Sequence, residues 1–72
     1  MITLQKIHER IVESIKQSGL TQTEIAKKIG VTQSSVGQYL SGRALPALDT
    51  FARLCQVLDV SPEYLLGLSD TL

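Results

Sequence analysis

The chain has one cysteine, no net charge, no apolar run long enough to cross a membrane and no internal repeat. A single cysteine excludes an internal disulfide and any cysteine-rich zinc site, and makes the cytoplasm the expected compartment. Apolar residues form 43% of the sequence, enough for a core but too scattered for a span. At the start, Lys6, Glu9 and Arg10 interrupt the apolar positions, so no signal-peptide pattern appears. No paired carboxylates, Cys–His couple, phosphate-cradling glycine loop or metal constellation is present, so an enzyme is not expected, nor a cofactor, a metal or a small-molecule ligand. β-branched residues fall only in helical rhythm, which leaves no candidate strand.

What is there is an all-α pattern in one small domain spanning residues 1–72, with a core over 4–66 and a tail over 67–72. A chain of this size buries only about 60% of its unfolded surface, so a partner subunit could add burial. Charge is unevenly placed. Residues 1–47 hold six basic and three acidic side chains, and residues 48–72 hold one basic and four acidic. That polarity fits a nucleic-acid face at one end, or ordinary solvated charge.

Five helices can be read. The first runs from about Thr3 to Ser18, with Leu4, Ile7, Ile11 and Ile15 as its apolar stripe, and ends at Gly19. The second is capped by Thr21 and Glu24 in a capping box, with Leu20 and Ile25 at staple positions, and ends at Gly30. The third is capped by Thr32, repeats the staple with Val31 and Val36, turns Val36 and Leu40 inward with Tyr39 beside them, and closes at Gly42. The fourth follows Pro46 with Leu48, Phe51, Leu54, Cys55 and Leu58 as its apolar face. The fifth starts at Ser61 and Pro62, has a third staple in Val60 and Leu65, and stops at Gly67. The shorter helices are too short to stand alone and must pack on the others.

The second and third helices form a helix-turn-helix. A close, steep crossing needs a small residue, Ala26. The turn needs a positive φ, supplied by Gly30, and the following helix needs an apolar anchor, Val36. The outward face of the third helix carries Gln, Ser and Gln, side chains suited to hydrogen-bonding base edges in the major groove.

Over Leu4 to Leu66, in GLTQTEIAKKIGVTQSSVGQYLSGRALPALDTF and LDVSPEYLL, the chain resembles the lambda-repressor-like, Cro/cI-type (XRE) family. The resemblance implies a compact five-helix domain that regulates transcription, as a repressor, by binding double-stranded operator DNA as a two-fold dimer on a palindrome. It places Gln33, Ser34 and Gln38 at base-reading positions. Thr32, Ser35, Gln22 and Arg43 suit phosphate contacts, and Gln22 is implied to brace Gln33. Lys27, Lys28 and Arg10 are open between plain surface charge and long-range attraction to DNA. Gly37, inside the third helix, either permits close approach to DNA or is simply tolerated. His8 reads as a helix-surface residue and Cys55 as a small core residue.

The chain departs from the family pattern at two places. Leu40 and Ile15 stand where relatives commonly carry a Glu–Arg pair, and the two are expected to touch as an apolar substitute. Ala47 stands where a Ser or Thr usually caps the fourth helix. At the C-terminus, Tyr64, Leu66, Leu68 and Leu72 are expected to form a homodimer interface that sets two recognition helices about 34 Å apart. The competing reading is a protein-interaction module of the same fold, an antitoxin or adaptor.

Overall fold

The computed structural model describes residues 1–71, so the interface expectation for Leu72 lies outside the described residues. Five α-helices, and no strand, occur among them: α1 (Leu4–Gln17), α2 (Gln22–Ile29), α3 (Gln33–Ser41), α4 (Leu48–Leu58) and α5 (Pro62–Leu65). None is long and apolar enough to cross a membrane.

The helix starts are set by local chemistry. Thr3 accepts the Lys6 N–H at 3.1 Å and so opens α1. At α2 both halves of the capping box form: the Glu24 N–H donates to Thr21 Oγ1 at 3.1 Å, and the Thr21 N–H donates to Glu24 Oε1 at 2.9 Å. These bonds hold the Glu24 carboxyl below its ordinary range, with the backbone bond from Thr21 the largest cause. Thr32 caps α3 and Ser61 caps α5 in the same way. Ala47 makes no side-chain cap at α4. Asp49 in the first turn of α4 accepts from Arg53 Nη2 at 3.3 Å, and the neighbouring Thr50 backbone N–H, then Arg53, hold its carboxyl below its ordinary range. Between α2 and α3, Gly30 has φ +76°, the left-handed conformation that turns the chain.

α2 lies at the centre, against α3 on one side and α4 on the other, while α1 packs on α3 and α5. The core joins Ile11 and Ile15, Ile25, Ala26 and Ile29, Val36 and Tyr39, Phe51, Leu54 and Cys55, and Leu65. Ala26 sits buried where α2 meets α3, as a close crossing requires. Cys55 is buried and free, and burial pushes its thiol pKa up, so it behaves as a small apolar residue. Ile15 is in the core, and Leu40 is half-buried and packs against that cluster.

Three expectations change. Leu4 and Leu48 follow the apolar rhythm but are 67% and 88% exposed, because each begins its helix beyond the edge of the core. Arg10 is not a surface cation free to attract DNA. It is buried, with Nη1 donating to the carbonyls of Tyr64 (2.7 Å) and Ser69 (2.6 Å) and Nη2 paired with Asp70 at 2.8 Å. Its guanidinium also stacks 4.3 Å from the Tyr64 ring centroid. Tyr64 is half-buried beneath that guanidinium.

Candidate nucleic-acid interface

α3 leaves the Thr32 cap with Val36 and Tyr39 beneath it and the opposite face outward. Because Val36 is fully buried, helical geometry sends Gln33, Ser34, Gln38 and Ser41 to solvent, and all four are exposed. With Gln22 from the start of α2 and Arg43 beyond α3, they line an open concavity of about 610 Å³ whose floor includes Gly37. Its surface is an even mixture of polar and apolar character, with Arg43 its charged member.

Of the seven residues expected to contact DNA, five meet here: Gln22, Gln33, Ser34, Gln38 and Arg43. Thr32 and Ser35 lie at the entrance to α3 outside the concavity. Their hydroxyls are 3.0 Å apart, and Thr32 Oγ1 also accepts the Ser35 N–H at 3.1 Å, so both are engaged in the cap. Gln22 Oε1 lies 3.7 Å from where a Cβ on Gly37 would stand, ordinary van der Waals distance. Gly37 is thus not demanded by crowding within the chain.

Gly37, left open between close approach to DNA and mere tolerance, lines the concavity, as does Ser41, which was not expected there. The signal was present, since Gln33, Gly37 and Ser41 form an i, i+4, i+8 ridge. His8 was also underestimated. It is half-buried, and its Nε2 is 3.1 Å from the Leu40 carbonyl oxygen in the last turn of α3. That turn ends at Gly42 with φ +81°, and the amides of Arg43 and Ala44 donate back to the Gln38 carbonyl at 3.0 and 3.4 Å.

A family model for helix-turn-helix domains matches residues 11–65, which takes in α2 and α3 and most of the core. The chain belongs to the XRE-type helix-turn-helix family. Among curated relatives, an uncharacterized HTH-type transcriptional regulator of Bacillus subtilis, YobD, is 39% identical over 86% of this chain and 55% of its own length. Antitoxin HipB of Escherichia coli K12 is 33% identical over 85% of this chain and 76% of its own. Among solved structures, the P22 c2 repressor in complex with a synthetic operator superposes with a TM-score of 0.77 at 27% identity, covering 88% of this chain and 96% of that one. The chain spans about half the length of the first curated relatives it matches.

Proposed function

We propose that the chain is a sequence-specific transcriptional regulator, a repressor, that lays α3 in the major groove of a palindromic operator and binds as a dimer. The observation that carries this is the exposed row of Gln33, Ser34 and Gln38, anchored from below by Val36. Gln33, at the N-terminal end of α3, suits bidentate bonding to adenine N6 and N7, Gln38 reads further along, and Ser34 is permissive. Gln22, at the start of α2 where free backbone N–H groups favour an anionic oxygen, and Arg43 bracket the row as phosphate contacts, joined by Thr32 and Ser35 at the α3 entrance.

The dimer surface we propose differs from a seam of α5 and tail alone. Leu66 lines an apolar groove of about 160 Å³ with Ile7, Ile11, Leu45, Pro46, Leu48 and Phe51. Leu45, Leu48 and Leu68 are exposed large apolar side chains. A second copy covering this groove adds Leu45 and Leu48 to the expected Leu66 and Leu68, while Tyr64 supports from behind.

A second reading, an antitoxin-type protein-interaction module, is favoured by the zero net charge and the likeness to HipB. Selection of bound duplexes from a random pool separates the two. The regulator reading expects an inverted repeat and binding that weakens with salt. Recovery of no preferred sequence, with affinity indifferent to salt, refutes it. Sedimentation of Leu48→Glu alongside the native chain tests the groove, with the variant expected to be monomeric where the native chain is dimeric. A native chain that stays monomeric on its selected duplex rejects the dimer.

A further inference from the structure

We propose that His8 is a positioning residue for DNA binding, locking the last turn of α3 and through it the placement of Arg43. The proposal rests on the DNA-binding reading above.

The last carbonyls of a helix lack intrahelical partners and must find others. At the end of α3 the Leu40 carbonyl finds His8, which reaches across from α1, 32 residues earlier in the chain, with Nε2 at 3.1 Å. A carbonyl only accepts, so Nε2 carries the proton and donates. Both neutral and protonated imidazole can do this. The ring also fills the space over Gly42. A Cβ there would stand 3.2 Å from His8 Cε1 and 3.3 Å from Nε2. The absent side chain at 42 and the imidazole at 8 are therefore complementary.

Arg43 directly follows Gly42. It lines the DNA-facing concavity with Gln38 and Ser41, and also a smaller depression with His8, Gly42 and Leu45. His8 itself lies outside the DNA-facing concavity. Its effect on DNA must pass through the α3 end that it holds.

The test uses the full chain with His8→Ala, His8→Phe and His8→Gln. Phenylalanine keeps the ring without a donor, and glutamine keeps an N–H at similar reach. Amide hydrogen exchange, read without DNA, is expected to quicken about fivefold at Arg43 and Ala44 in the Ala and Phe variants, the equivalent of one ordinary hydrogen bond. Gln is expected to restore protection, with Ile25 and Leu54 unchanged throughout. Unaltered exchange at Arg43 and Ala44, or a uniform loss that includes Ile25 and Leu54, overturns the lock.

The second readout is binding to a fluorescein-labelled duplex that the native chain selects from a random pool. His8→Ala is expected to bind about fivefold more weakly, with a log–log salt slope shallower by about one, and to lose nothing more when Arg43→Ala is added. Independent, additive losses overturn the positioning role. If the native chain selects no duplex, the DNA reading falls and the role for Arg43 with it, while the exchange data still decide whether the lock exists.

Discussion

Replacing Arg10 by alanine is expected to destabilise the domain by about 3 kcal/mol. Nη1 donates to two backbone carbonyls, Tyr64 at 2.7 Å and Ser69 at 2.6 Å. Hydrogen bonds from a charged donor contribute about 1.5–3 kcal/mol each. The lower figure applies here, because water can reach the rim of the tail once the side chain is gone. The stacking on Tyr64 adds about 0.5 kcal/mol. The ion pair with Asp70 adds little, since the Arg10 side chain is 10% exposed but that of Asp70 is 99% exposed. A 72-residue domain has only about 4–11 kcal/mol in total, so the loss removes a quarter or more of its stability. Urea unfolding followed by circular dichroism measures it. With a slope of about 1 kcal/mol per molar, the midpoint should fall by about 3 M for Arg10→Ala, and by under 1 M for Asp70→Asn. Equal effects of the two substitutions, or a loss below about 1 kcal/mol for Arg10→Ala, would refute the idea that the buried guanidinium clamps residues 64–69 onto α1.

Other outcomes follow from the same geometry. Gly37→Ala should stabilise the free domain by about 1 kcal/mol, because the added methyl meets only Gln22 Oε1 at 3.7 Å. If DNA backbone passes close to that ridge, the same variant binds its selected duplex more weakly, and a calorimetric melt paired with a titration reads both effects. Ala47→Ser supplies the missing cap of α4 and should raise stability by about 1 kcal/mol in urea unfolding. Glu24 and Asp49 both have lowered carboxyl pKa values in the folded chain. Their contribution is present above the ordinary carboxylate range of about pH 4 and is lost as pH falls through the lowered values. Thermal melts between pH 7 and pH 2 should show stability falling at the acid end, and Glu24→Gln should flatten part of that fall.

Much of the fold was readable because it is local. Thr21, Glu24, Thr32 and Ser61 act on backbone groups three residues away, so their spacing announces each helix start. The outward Gln33 and Gln38 follow from Val36 turning in, again within one helix. What stayed hidden depends on contacts distant in sequence. Arg10 meets partners 54 to 60 residues away, and His8 meets Leu40 at a separation of 32. Nothing in the periodicity of α1 distinguishes these from solvated side chains. Leu4 and Leu48 show the converse, since a helical stripe tells which face is apolar but not where the opposing core ends. Ser35 shows a further reason, for the hydroxyl that suits a phosphate also suits the cap of its own helix.

The most direct trial compares the sequences selected from random duplex DNA by the native chain and by Gln33→Ala. An inverted repeat is expected from the native chain, and the variant should lose preference at one base pair in each half-site while still favouring the rest. Loss of discrimination at a contacted base pair corresponds to about 1–3 kcal/mol. Identical selected sequences from both proteins would contradict the claim that α3 reads DNA with its outward glutamine.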